Sequence, residues 1–237
     1  MKKVYLLLLA LGSATLSFGQ KVEFGLQLNA GASVFAGESA SETSAITVAD
    51  AGPTSFYTHN PFGSKPRPTF GASLQLQRVG ESGFILGAQA GAEQLRSMVN
   101  INKAYVADGN AVPTEQDADG ESTMKADFFQ FQPYLGWRLL KGSFDLDLTV
   151  GTDVGFGRKM QSEGEATLED GSSYETAYDF SKPRTDFRPR IGLTLYRGHI
   201  GLSASYAHGL TNYKSEWDGN NPELFLRAAR LGLLFRL

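Results

Sequence analysis

The chain has 237 residues, 41% of them hydrophobic and 20% charged, with a formal net charge of −3 and no cysteine. That length suits one domain of ordinary size or a single β-barrel. An acidic balance argues against nucleic acid, whose binding relies on clustered Lys and Arg, and the lack of cysteine removes disulfides, a lipoprotein anchor, thiolate zinc sites and a cysteine nucleophile.

In chain order, the first element is a leader. Lys2 and Lys3 precede an apolar run over residues 4–11, and small or polar residues follow up to Gly19. The pattern predicts a signal peptide over residues 1–19, because the run is too short to cross a bilayer as a helix. Loss of its two lysines takes the formal charge from −3 to about −5. No later stretch approaches the ~18 apolar residues of a transmembrane helix, so any membrane crossing is expected from strands.

From residue 20 to 237 the apolar residues alternate. Phe144, Leu146, Leu148, Val150, Val154 and Phe156 take one face of a predicted strand, with Asp145, Asp147 and Asp153 on the other. A strand of that length rises ~40 Å and, tilted by ~45°, spans ~28 Å, close to the apolar band of an outer-membrane barrel. The same period recurs over residues 22–34, 70–77, 84–93, 129–139, 187–196, 200–207 and 225–237. Short turns near residues 80–83, 141–142 and 197–198 alternate with long polar segments over 36–68, 98–125, 157–186 and 211–222. The predicted fold is all-β: an eight-stranded antiparallel up-and-down transmembrane β-barrel with short periplasmic turns and four long extracellular loops. A lipocalin-like or sandwich fold is the alternative, but gives no reason to sort connections by length.

Two aromatic girdles are expected on the lipid face. Phe24, Phe84, Trp137, Phe144 and Phe235 fall at the periplasmic end; Phe70, Phe131, Phe156, Phe187, Tyr206 and Phe225 fall nearer the outer end. The strand glycines take the inward parity, which suits a narrow interior filled by side chains. Pro133 and Pro189 interrupt two segments and predict a local bulge or, for Pro189, a place near the rim.

The inward parity also collects Glu23, Glu93, Asp145, Asp147 and Asp153 with Arg138, Arg188, Arg190, Arg230 and Arg236. Two carboxylates ~6.5–7 Å apart on one strand could serve hydrolysis through a water. Five acids facing five arginines fit better a lumenal charge network, since buried charges require partners. Such an interior predicts a plugged cylinder rather than an open pore. His208 follows the outward parity, but Ser203 and Ser205 beside it face inward, so a membrane-facing His–Ser pair for lipid chemistry is not assembled. Acids at alternate positions in Glu115–Ser122 suggest calcium yet lack the twelve-residue EF-hand pattern, and the acids at 163, 165, 169, 170 and 175 form a second acidic loop.

The stretch YAHGLTNY resembles a Y-x-x-G-L-x-N segment of small Bacteroidota outer-membrane barrels, with Tyr206, Gly209, Leu210 and Asn212 at the matching positions. The leader ending SFGQ and the terminal LGLLFRL resemble the same group, although the last residue is Leu237 rather than an aromatic. As architecture the chain is similar to the PorT-like and OmpA/OmpX-like barrels. That resemblance implies an outer-membrane location and contact with the barrel-assembly machinery, and it carries over no catalytic residue. Some relatives so implied are accessories of secretion and gliding machinery.

The expectation is a non-enzymatic outer-membrane protein over residues 20–237, without cofactor or metal, in contact with outer-membrane lipid and lipopolysaccharide. It would act as a structural, surface-binding or accessory component of an envelope complex. A small-solute channel is the alternative, and a lipid-modifying enzyme comes third.

Overall fold

The computed structural model of the protein describes residues 21–49, 56–107, 112–181, 185–215 and 222–237. The predicted signal peptide lies outside those residues. Eleven strands join one sheet: β1 (Lys21–Ala36), β2 (Thr43–Ala49), β3 (Phe56–Thr58), β4 (Lys65–Val79), β5 (Phe84–Ala107), β6 (Thr114–Leu140), β7 (Asp145–Leu168), β8 (Ser173–Phe180), β9 (Asp186–Arg197), β10 (Ile200–His208) and β11 (Phe225–Arg236). The count of eight expected from sequence is therefore corrected to eleven among the described residues. Among the described residues there is no helix.

Eight of the strands form an antiparallel ring in the order β1–β4–β5–β6–β7–β9–β10–β11, and β11 pairs back onto β1 from Gly25↔Arg236 to Ala36↔Phe225. No edge of this ring is left open, which satisfies the backbone donors and acceptors along its length. Tight connections join β4 to β5, β6 to β7 and β9 to β10 at one end. Gly83 (φ +88°) and Gly198 (φ +59°) supply the left-handed conformation two of these turns require.

The other three strands lie in the long segments read from sequence as loops. β2 runs parallel to the far half of β5, β3 pairs with β2, and β8 pairs with β7. Together with the far halves of β5, β6 and β7 they build an extension beyond the ring. Its two edge strands meet: Thr58 on β3 donates to Ser122 Oγ at 3.3 Å and lies 3.1 Å from Thr176 Oγ1 on β8.

The apolar face of the long strands changes side where the extension begins. Within the ring, Phe84, Leu86, Phe129, Phe131, Val150 and Phe156 point outward and are exposed, while Glu93, Arg138, Asp147 and Asp153 are buried inside. Beyond Glu93, Leu95, Val99 and Ile101 are buried inside, and Gln94, Arg96, Met98 and Asn100 take the outer face. On β7 a β-bulge makes the same change: Gly157 pairs with Phe128 and Lys159 with Asp127, so Arg158 is extruded and Met160 turns inward.

The prolines are accommodated differently from each other. Pro133 is exposed, and the β6–β7 register continues across it from Phe131↔Val154 to Tyr134↔Gly151. The bulge expected there is absent; register shifts on β6 lie instead at Asp127/Phe128 and Arg138/Leu140. Pro189 falls where the β9–β10 ladder stops, one residue beyond Arg190↔Ala207, so its missing N–H breaks no bond to β10.

Candidate functional site

The interior of the ring is built in layers. At the turn end, Arg138 of β6 donates from Nη1 and Nη2 to Glu23 of β1 at 3.0 and 2.9 Å, and from Nε and Nη2 to Asp147 of β7 at 2.6 and 2.8 Å. Arg236 of β11 bonds Asp145 at 2.6 Å and reaches Glu23 at 3.3 Å. Gln77 donates to Glu23 at 2.8 Å, Tyr134 to Gln77 at 2.9 Å, and Gln75 to Tyr134 at 2.8 Å. The Arg236 guanidinium also lies 4.4 Å from the Tyr196 ring centre.

A second charged cluster lies toward the extension. Glu93 of β5 accepts from Arg188 of β9 at 2.5 Å and from Arg230 of β11 at 2.8 Å. Asp153 of β7 is 3.1 Å from Arg230 and 3.4 Å from Arg190, which also donates to Gln132 at 2.8 Å. Asp186, which sequence reasoning placed in a loop, joins this cluster. It lies 3.6 Å from Arg188 and accepts from the Tyr213 hydroxyl at 2.7 Å. The ten charged residues expected inside thus all lie within the ring, in two groups of five with Asp186 added to the second.

Between the clusters a polar cavity of about 20 Å³ is lined by Gln27, Gln75, Gln132, Tyr134, Tyr196 and Ser203. Glycines make room for the two tyrosines. Gly87 opposes Tyr134 and Gly201 opposes Tyr196, and a Cβ on either would stand within 2.5 or 2.6 Å of the ring opposite. Above the second cluster the interior turns apolar. Phe128, 5.3 Å from the Arg188 guanidinium, belongs to a core with Phe35, Phe62, Leu95, Met124 and Leu226. The extension has a further core around Ile46, Val48, Ile101, Ala104 and Leu168. Along the axis of the described ring, ion pairs, a cavity of water size and an apolar core follow one another.

The aromatic residues assigned to two girdles lie at the two ends of the outward face. Phe84 and Trp137 meet edge to face at 5.1 Å, Arg197 lies over Phe144 at 5.6 Å, and His199 packs near Phe235 at 6.1 Å. Phe24 is exposed at the same end. At the other end Phe70, Phe131, Phe156, Phe187 and Tyr206 are exposed and Phe225 is half-buried. Phe129, left out of the expected girdle, pairs with Phe156 and carries the Arg158 guanidinium 4.6 Å from its ring centre.

The four motif positions have local roles. Tyr206 faces outward with its hydroxyl 3.2 Å from His208 Nδ1. Gly209 lies against Leu226, whose carbonyl oxygen would be 2.3 Å from an added Cβ. Leu210 is exposed, and its N–H donates to Phe187 O at 2.9 Å. Asn212 donates to Pro222 O at 2.9 Å and accepts from the N–H groups of Lys214 and Leu224, both at 3.0 Å.

The extension carries the surface features missed by sequence reasoning. The run Glu115–Ser122, expected as a loop, is part of β6, and Lys103 pairs with Glu115 at 3.1 Å and Asp117 at 2.7 Å. The other acidic segment forms the ends of β7 and β8 and their turn, where Asp170 accepts from Ser172 N at 2.8 Å. A groove of about 850 Å³ is lined by Arg67, Arg96, Lys125, Glu121, Glu163 and Glu175, and within it Arg67 pairs with Glu121 and Lys125 with Glu163. A second recess of about 420 Å³ is lined by Tyr57, His59, Phe62, Tyr178 and Phe180. His59 is stacked between Tyr57 and Tyr105, at 5.3 and 5.2 Å, and its Nε2 is 2.7 Å from Thr47 Oγ1.

These features define an all-β protein with a closed ring of paired strands, a polar and charged interior and an apolar outer band. No family model matches the chain, and no curated protein matches it. Among solved structures it is similar to Ail, the attachment invasion locus protein of Yersinia pestis. The likeness has 10% identity over 92% of this chain and 99% of that chain, with TM-scores of 0.36 for the complex with the heparin analogue sucrose octasulfate and 0.35 for Ail alone. The TodX monoaromatic hydrocarbon channel, in its deltaS2 mutant form, aligns at 11% identity over 94% of this chain and 91% of that one, with a TM-score of 0.19.

Proposed function

We propose that this chain is a non-enzymatic outer-membrane β-barrel. Its eight ring strands cross the bilayer, its interior is closed by paired charges, and its extension faces outward as a binding surface. The observation that carries this reading is the change of apolar side along β5 and β7. A strand with an apolar outer face and a charged inner one suits hydrocarbon outside, and the reverse arrangement suits water. The lower limit of the inverted section, at Gln94, Asp127 and Arg158, marks the outer edge of the bilayer.

The same reading includes contact with outer-leaflet lipid and lipopolysaccharide, insertion by the barrel-assembly machinery, and accessory service in an envelope complex. Its likeness in motif to small Bacteroidota barrels adds secretion machinery to the candidates for that complex. Crosslinking in the native host, followed by detergent extraction and affinity capture, is expected to recover defined protein partners; monomer alone would contradict the accessory role. In planar bilayers the plugged interior predicts flat traces, whereas steady unit conductance would favour the small-solute channel.

A further inference from the structure

On the outward face of β9, β10, β11 and β1 the apolar band is indented. A groove of about 680 Å³ has Ala32, Ala204 and Ala229 as small residues and Ile191, Leu193 and Leu231 as larger ones. Ala32, Ala229, Tyr206 and Ile191 lie in one cross-strand row, and Val34, Arg227 and His208 occupy the next outward row toward the extension. Successive rows on one face are ~6.5–7 Å apart, so Arg227 lies one row beyond Ala229, next to the outward end of the groove. Its Nε is enclosed without a hydrogen-bond partner, and among the described residues it forms no ion pair. Beside it, Tyr206 and His208 hold each other through the 3.2 Å contact of Oη and Nδ1.

We propose that the groove and Arg227 form a docking site for one membrane lipid with an anionic phosphate headgroup. One acyl chain lies along the three alanines, and the phosphate accepts hydrogen bonds from the Arg227 guanidinium at the rim. An apolar slot alone would take any lipid chain. A guanidinium with no carboxylate partner among the described residues gives the site its preference for a phosphate of net negative charge, by charge-assisted hydrogen bonding. This inference rests on the membrane-spanning reading above.

The test is native mass spectrometry of the purified full chain released from neutral detergent micelles doped with dioleoyl phosphatidylglycerol or dioleoyl phosphatidylcholine. Each sample is also run boiled and unboiled on a gel. The expected result is preferential retention of one phosphatidylglycerol, weakened about tenfold by Arg227→Ala, the scale of one charge-assisted hydrogen bond. Ala229→Leu, which fills the groove, is expected to lower retention of both lipids, and Arg197→Ala at the opposite end to leave it unchanged. Inorganic phosphate in place of lipid is expected not to be retained. A wild-type chain that shows the gel shift but no preference for phosphatidylglycerol would overturn the docking site alone, as would an indifferent Arg227→Ala. Absence of the gel shift in the wild type would overturn the barrel and, with it, this site.

Discussion

Arg138 and Glu23 tie β6 to β1 across the interior by two parallel hydrogen bonds of 3.0 and 2.9 Å, although two strands separate them around the ring. The same guanidinium holds Asp147 on β7, so one side chain joins three strands. Arg188 and Arg230 repeat the device, reaching Glu93 on β5 from β9 and β11. Bidentate, charge-assisted pairs of this kind offset the desolvation of both partners only while every member is present.

Arg138→Ala leaves Glu23 and Asp147 buried with much of their compensation removed. We expect a loss of about 3–5 kcal/mol, the usual scale for removing one partner of a buried pair. It is read as the urea midpoint of the boiled-versus-unboiled gel shift in detergent. A midpoint equal to wild type would show that the cross-interior ties do not support the ring.

Gly87→Ala places a Cβ 2.5 Å from the Tyr134 ring. Overpacking of this kind costs about 1–3 kcal/mol. The double variant Gly87→Ala, Tyr134→Leu should recover part of that loss, so the two substitutions should be non-additive in the same midpoint assay. Strict additivity would mean that the glycine is not there to seat the tyrosine.

His59, in the extension, has its pKa lowered from the ordinary 6.5 because partial desolvation, between the stacked rings of Tyr57 and Tyr105, disfavours the charged ring. The unfolded chain therefore binds the proton first as pH falls. Stability of this region is full above 6.5 and declines as pH drops from 6.5 toward the folded pKa. Hydrogen exchange of β2 and β3 should be faster at pH 5.5 than at pH 7.5, after correction for the intrinsic rate, and His59→Gln should abolish that difference. Protection independent of pH in the wild type would contradict it.

Asn212 organises the connection from β10 to β11 through three hydrogen bonds. Asn212→Ala should destabilise that connection locally by about 1–3 kcal/mol. The expected readout is faster proteolytic cleavage after residue 209, with the gel shift of the ring retained. Equal cleavage rates would remove the bracket role.

The ring was legible because its alternation is strict where hydrocarbon and a packed interior impose opposite demands on adjacent residues. Phe144 to Phe156 and the other seven segments all show it. The ten inward charges followed from parity alone, whereas Asp186 did not, because it begins β9 at the edge of a polar segment. The extension was hidden for two physical reasons. Beyond Glu93 the alternation continues with its phase exchanged, Leu95, Val99 and Ile101 now inward, so a search for an apolar outer face ends there. Bulges at Arg158 and between Ile101 and Lys103 then shift the period by one residue. In the run Glu115–Ser122, Glu115, Asp117, Asp119 and Glu121 take the solvent-facing side of a strand whose other face carries only small or polar groups, Gln116, Ala118, Gly120 and Ser122. Nothing apolar marks it as a strand until β5 and β7 are laid beside it.

The most direct test of the central claim exploits the absence of cysteine. Single cysteines introduced at residues 84–100 of β5 can each carry a spin label in a reconstituted bilayer, where collisions with oxygen and with a water-soluble nickel complex are compared. The account predicts oxygen access at 84, 86, 88, 90 and 92, little access to either at 85, 87, 89 and 91, and nickel access at 96, 98 and 100. Nickel access at 86, 88 and 90 equal to that at 98 would mean that the apolar outer band does not face lipid, and would contradict it.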